Sequence, residues 1–168
     1  NTSTQSIFKT WYTYEDVLKI TLYIQFMDIR NQPLLPGNYY HINNCAIGDE
    51  KLFRNRDNYL FFLSKTSEYL LPVCDILSYC LLPNHFHFFI RIKDEIQLQT
   101  FAKTIRKEKK DLPVLVSEQL SNYFNSYTKS YNSFFNRYGK LFDLPFKRIE
   151  VKTDQYFTTI IIYIHRNP

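Results

Sequence analysis

Glycine and cysteine are scarce in this sequence, and no apolar run is long enough to cross a membrane. With only 3 Gly among 168 residues, it has no glycine-rich linker or low-complexity tract, which indicates one folded domain. The 3 cysteines, Cys45, Cys74 and Cys80, form no CxxC pair and are odd in number, which argues against a disulfide framework. Free thiols and the lack of a signal-peptide pattern lead us to expect a cytoplasmic protein with no membrane partner.

Aromatic residues and positive charge are, by contrast, abundant. The chain has 14 Tyr and 15 Phe, and 45% of its residues are hydrophobic, which is enough to build a core, so the chain need not be disordered. Most of these rings are expected in the core, although aromatic side chains also stack on unpaired bases. The net charge of +5 favours an anionic partner, with nucleic acid as the first candidate.

Strand-like patterns occupy four stretches. Two of them, Cys74 to Leu82 and His85 to Ile92, are separated only by Pro83-Asn84, which predicts a tight antiparallel hairpin. The other two are Tyr39 to Ile47 and Pro145 to Val151.

Helical patterns fall between and after these strands. The predicted helices are Arg56 to Leu71, Gln97 to Asp111, Ser117 to Tyr138, and a last helix from an N-cap at Asp154 to about His165. Residues 14–29 fit either helix or strand and are interpreted as helix, and residues 31–37 as loop. The order predicts an α+β, ferredoxin-like fold in which a central antiparallel sheet carries helices packed on one face.

The densest chemical signal is His85-Phe86-His87. Because residues two apart on a strand point to the same face, the two imidazoles should aim at one point while Phe86 faces the core. Neutral imidazoles side by side suit a divalent metal ion, although an isolated pair of this kind is more often structural. A metal site also needs further ligands.

The last predicted helix supplies a phenol. Tyr163 and Asn167 are four residues apart and share a helix face, and Tyr156 lies about two turns earlier on roughly the same face. Tyrosine can act as a covalent nucleophile when a metal ion polarises its target. The residue pattern does not choose between Tyr156 and Tyr163, and a tyrosine buried by an amphipathic helix fits it too.

A basic cluster forms the third signal. It comprises Lys103, Arg106, Lys107, Lys109 and Lys110 on one predicted helix and Lys147 and Arg148 on a later strand. Phosphate contact is one interpretation and a solvated surface is the other.

The stretch YCLLPNHFHFFIR, from Tyr79 to Arg91, resembles the single-tyrosine HUH transposases, and most of all the branch that includes the REP-associated tyrosine transposases. Three further stretches match that family in order: NYYHINN from Asn38, GKLFDLPFKRIEV from Gly139 and DQYFTTIIIYIHRNP from Asp154. The resemblance spans residues 38–168 and leaves residues 1–37 as an N-terminal extension.

The resemblance implies an enzyme that cleaves and rejoins single-stranded or hairpin DNA through a 5′-phosphotyrosine intermediate. His85 and His87 would hold Mg²⁺ or Mn²⁺, Tyr163 would be the nucleophile, and Asn167 would be a further metal ligand. Such a protein would be a bacterial, nucleoid-associated monomer or homodimer, with the tyrosine acting in cis or in trans.

Two alternatives stay open at this point. One is a catalytically inactive or domesticated nucleic-acid-binding module with the same fold. The other is a zinc protein that uses His85 and His87 with further ligands from His41, Cys80 or His165, although no HExxH motif supports it.

Overall fold

The computed structural model describes residues 30–166, which form a four-stranded antiparallel sheet and four helices. The strands are β1 (Tyr39–Cys45), β2 (Cys74–Leu82), β3 (His85–Ile92) and β4 (Lys147–Glu150), in the spatial order β2-β3-β1-β4. The hairpin predicted around Pro83-Asn84 is confirmed, because β2 and β3 pair directly from Leu82 and His85 outwards. The element order and the ferredoxin-like, α+β architecture are confirmed as well.

The pairing register divides the side chains of the sheet between two faces. In an antiparallel pair, residues directly opposite each other point to the same side. Ile42 is opposite Phe88, and both lie on the face that carries the main core. Asn43 is opposite His87 and also opposite Lys147, so these three residues belong to the other face, which we call the histidine face.

Three helices cover the core face: α1 (Arg56–Tyr69), α2 (Glu95–Thr104) and α3 (Leu112–Phe134). Phe62 of α1 is fully buried and meets Phe88 of β3 with ring centroids 5.9 Å apart. Its ring also meets that of Tyr123 on α3, with the centroids 4.9 Å apart. Within residues 30–166, eleven Phe and Tyr side chains are buried, and the core face takes up most of these.

The helix predicted from Gln97 to Asp111 is only partly correct. The chain leaves the helix after Thr104, because Arg106 adopts a positive φ of 57° and starts a turn. The next helix then begins at Leu112 with Pro113 in its first turn, earlier than the predicted start at Ser117. The basic segment therefore straddles a helix end and a loop.

The last helix, α4 (Asp154–Arg166), lies on the histidine face, where the prediction had placed all helices on one face. The reason is that β3 is apolar on both sides: Phe88 enters the main core, and Phe89 needs its own cover. Ile160 and Ile164 of α4 pack on Phe89 and supply that cover.

The start of α4 also differs from its prediction. Its cap is Thr153 rather than Asp154, since the Thr153 hydroxyl accepts a hydrogen bond from the Tyr156 N–H at 3.2 Å.

Three predictions fall partly or wholly outside the described residues: the helix at residues 14–29, the extension 1–37 and the role of Asn167. The boundary of a domain at residue 38 stays a prediction. Between residues 30 and 166, no helix is both long and apolar enough to span a membrane.

Candidate functional site

His85 and His87 occupy the start of β3 and point to the histidine face. Their ring centroids are 5.2 Å apart and their planes nearly perpendicular, at 88°. His87 is almost completely buried, with 7% of its surface exposed, whereas His85 is half-buried at the mouth of a cleft. The pair therefore combines one sheltered imidazole with one that solvent and substrate can reach.

A third imidazole, that of His41 on β1, lies beside the pair. Its Nε2 atom is 2.9 Å from Nδ1 of His87, and the two rings stack with centroids 5.1 Å apart. His41 is opposite Phe89 in the register, so it is a diagonal neighbour of His87 on the same face.

Burial keeps these imidazoles uncharged. It lowers the pKa of His41 to about 3 and the pKa of His87 to about 4. The neighbouring histidines and the positive charge of Lys147 lower both values further, and burial also lowers the pKa of His85. Near pH 7 the three rings are therefore neutral, which is the form in which imidazole binds metal ions.

In both His85 and His87, the Nδ1 atom is hydrogen-bonded within the protein. The Nε2 atom of each ring remains available for another partner. Nδ1 of His85 lies 2.8 Å from the side-chain oxygen of Asn84, which can only accept, so Nδ1 carries the proton. The Nε2 atom of His85 therefore holds a lone pair. In His87, Nδ1 is engaged by His41, and Nε2 is buried with no hydrogen-bond partner among the described residues.

These donors fit a divalent metal ion in part. Two imidazoles with free Nε2 atoms are suitable ligands, and an orphaned buried nitrogen is the kind of atom that a cation satisfies. However, no cluster of three His, Cys, Asp or Glu side chains able to hold a metal ion occurs within residues 30–166. Any cation bound here would need further oxygen ligands, from a substrate, water or Asn167.

Tyr163 of α4 lies against the same histidines. Its ring meets those of His87 and His41 edge-on, with centroid distances of 5.2 and 6.3 Å. It stays 46% exposed, because Ile160 and Ile164 on the adjacent helix face provide the packing that anchors α4. The phenol is thus fixed beside the imidazoles within one chain while remaining open to an incoming group.

Tyr156, the other candidate phenol, is placed differently. It packs against the small core that holds α4 to the sheet. Burial, with a smaller effect from Tyr163, raises the pKa of Tyr156 to about 12. An enclosed phenol whose ionisation is opposed by burial is a poor nucleophile.

Of the predicted basic cluster, Lys147 lies at this site. It is opposite Asn43 on the histidine face, and with His85, His87 and Arg30 it lines a cleft of about 190 Å³. Arg148 is on the core face instead, where its guanidinium donates to the Ser117 hydroxyl at 2.7 Å and lies 4.3 Å from the centre of the Phe146 ring.

The basic residues of the α2 segment do not join the cluster. Lys103 is near the end of α2, and Arg106 and Lys107 are in the turn that follows. The helix α2 packs on the core face through Leu98, and none of these three residues lines the cleft with His85 and His87. Lys107 and Lys110 both pair with Glu118, so part of their charge is neutralised locally.

For the zinc alternative, residues 30–166 contain no group of three His, Cys, Asp or Glu side chains that could hold the ion, and His41 is hydrogen-bonded to His87. Cys80 is opposite His87 on the same face, but His165 is exposed on α4 and lines a separate groove with Leu63 and Leu77.

Sequence reasoning missed two partners of the motif, Asn84 and the His41–His87 pairing. The pairing depends on the β1–β3 register, which strand patterns alone do not fix. The hydrogen bond of Asn84 depends on the conformation of a two-residue turn.

No protein-family model matches the sequence, and no curated protein matches it at the sequence level. Among solved structures, the fold is similar to that of a REP-associated tyrosine transposase bound to a REP hairpin. The TM-score is 0.56 and the identity 12%, over 84% of this chain and 73% of that one. At this identity the likeness shows a shared fold.

Proposed function

We propose that this chain is a metal-dependent nuclease and strand transferase of the single-tyrosine HUH type, acting on single-stranded or hairpin DNA. One observation carries the proposal: the Tyr163 ring stands 5.2 Å from the His87 ring, on the same sheet face as His85. Strand β3 and a separate helix build this arrangement, and it is Ile160 and Ile164, not Tyr163, that provide the cover of Phe89. The fold likeness to a tyrosine transposase supports the same conclusion.

In the proposed site, His85 and His87 would hold Mg²⁺ or Mn²⁺ through the lone pairs of their Nε2 atoms, and Asn167 would be a candidate for a further ligand. The bound ion would neutralise charge on a non-bridging oxygen of the scissile phosphate. The chain's own contribution is to keep both imidazoles neutral and oriented, through burial and through the hydrogen bonds that engage both Nδ1 atoms.

Tyr163 is the proposed nucleophile. Its hydroxyl oxygen attacks the phosphorus in line, a Tyr–O–P bond forms, and the bond from phosphorus to the 3′ oxygen breaks. The phenol loses its proton to water, and the departing oxygen takes one up to become a 3′ hydroxyl. The phosphotyrosine retains the bond energy, so attack by another 3′ hydroxyl rejoins DNA without ATP.

The substrate class follows from access and charge. Tyr163 is 46% exposed but its ring lies against His87, so an unpaired strand that can bend towards both residues is favoured over a regular duplex. Lys147 offers a positive charge next to the histidines for the phosphate. The similar structure was bound to a DNA hairpin, which makes hairpins the first substrates to test. Because one chain brings Tyr163 to His87, we propose catalysis in cis.

The test is a covalent-adduct assay with a panel of labelled single-stranded and hairpin oligonucleotides, in Mn²⁺ or Mg²⁺. We expect a denaturation-resistant adduct that disappears in Tyr163→Phe, while DNA binding persists. Tyr156→Phe is the matched control, since it removes a hydroxyl from the same helix, and it should keep the adduct. An adduct that survives in Tyr163→Phe contradicts the assignment. Binding without any adduct across the panel would favour the inactive-module alternative.

A further inference from the structure

His87 forms a hydrogen bond with another histidine, His41 on β1. A metal-binding histidine more commonly forms this bond with a carboxylate or a backbone carbonyl. His41 and His87 are both buried, at 5% and 7% exposure, and share one hydrogen bond of 2.9 Å between ring nitrogens. A single proton lies between these two nitrogens, so the pair has two arrangements.

The two arrangements differ in what Nε2 of His87 can do. If Nδ1 of His87 donates to Nε2 of His41, the far nitrogen of His87 has a free lone pair. If the bond runs the other way, that nitrogen carries a hydrogen and cannot bind a metal ion. Within residues 30–166, neither far nitrogen, Nε2 of His87 or Nδ1 of His41, has a hydrogen-bond partner, so the surrounding protein does not choose between the arrangements. A metal ion at Nε2 of His87 would choose the first, because it needs the lone pair of that nitrogen.

We infer that His41 is a positioning residue: it accepts the Nδ1 proton of His87 and so holds that ring in the orientation and tautomer that bind the metal ion. The inference rests on the proposed function. Asn84 serves His85 in the same way, through a hydrogen bond to its Nδ1 atom. The orientation and tautomer of both metal-binding imidazoles would then be fixed by side chains that do not touch the ion.

His41 also has a packing role that the test must separate from this one. Its ring stacks on His87 and meets the edge of Tyr163. Phenylalanine at position 41 keeps a flat ring of similar size but has no acceptor. Glutamine is less similar in shape, but its amide oxygen can reach about as far as Nε2 does and can accept the proton.

The experiment measures Mn²⁺ affinity by calorimetry and by electron paramagnetic resonance, in a Tyr163→Phe background that cannot cleave DNA. We expect His41→Phe to weaken Mn²⁺ binding by about 10- to 100-fold, the usual effect of losing such a partner. His41→Gln should stay within a few-fold of the parent. Equal affinity in the parent and His41→Phe would overturn the inference but leave the metal site intact. A parent that binds no Mn²⁺ would remove both the inference and the metal-dependent function.

A second measurement needs no substitution at position 41, should His41→Phe fail to fold. Nitrogen-15 shifts of the His87 ring in the Mg²⁺-bound protein report which nitrogen is protonated. We expect a proton on Nδ1 and none on Nε2. A proton on Nε2 in the metal-bound protein would overturn the inference.

Discussion

Lys147 and Arg148 are neighbours in the chain with opposite placements, and replacing each by glutamine should give different defects. Lys147 faces the cleft beside the histidines, whereas Arg148 faces the core side and donates to Ser117 on α3. For single-stranded DNA, each phosphate contact contributes about 0.7 to the slope of log affinity against log salt. Lys147→Gln should therefore lower that slope by about 0.7 and weaken binding about fivefold near 0.1 M salt.

Arg148→Gln should act on stability instead. The lost hydrogen bond from a charged donor is worth about 1.5–3 kcal/mol. The contact with the Phe146 ring adds about 0.5–1 kcal/mol, so we expect a total of about 2–4 kcal/mol. Fluorescence anisotropy over a salt series, together with urea unfolding, checks both variants. The reasoning is refuted if both substitutions lower the salt slope equally, or if Arg148→Gln leaves the free energy of unfolding unchanged.

Three further predictions concern stability. Burial raises the pKa of Glu50, but hydrogen bonds from Arg54 and from the Lys51 N–H outweigh it and lower the pKa to about 2, from an ordinary 4.5. Ionised Glu50 therefore contributes to the free energy of unfolding above pH 4.5, and this contribution is lost as the pH falls towards 2. In urea unfolding between pH 2 and 6, the free energy of unfolding should fall less steeply with decreasing pH in Glu50→Gln than in the parent. Phe62→Ala empties a fully buried position and should cost about 3–5 kcal/mol in urea unfolding, and a loss under 1 kcal/mol would contradict the core described above. Thr153→Ala should cost about 1 kcal/mol by removing the cap of α4, with Thr153→Ser restoring most of it in thermal unfolding; equal melting temperatures for the Ala and Ser variants would argue against the cap.

The elements with strong local signals were predictable from the sequence. The hairpin of β2 and β3 follows from two alternating strands around Pro83-Asn84, and α4 from its apolar spacing. The helix predicted over Gln97 to Asp111 failed after Thr104, because charged residues carry little information about where a helix stops. The helix ends where Arg106 adopts a positive φ, which no residue pattern predicts. The start of the next helix at Leu112 is marked in the sequence by Pro113.

The placement of α4 on the histidine face was predictable from two consecutive residues of β3. Phe88 and Phe89 are consecutive, so they must point to opposite faces, and an apolar ring on each face demands cover on each face. The same alternation separates Lys147 from Arg148, which a count of basic residues treats as equal. What the sequence does not contain is the register between β1 and β3, and the partnership of His41 with His87 depends on it.

The most direct test of the account is to identify the residue that becomes linked to DNA. Protein reacted with a hairpin oligonucleotide in Mn²⁺ would be digested with protease and nuclease, and the modified peptide sequenced by mass spectrometry. The account predicts a 5′-phosphonucleotide on Tyr163, the phenol that stands beside His87. A modification on Tyr156 or on any other residue would contradict it.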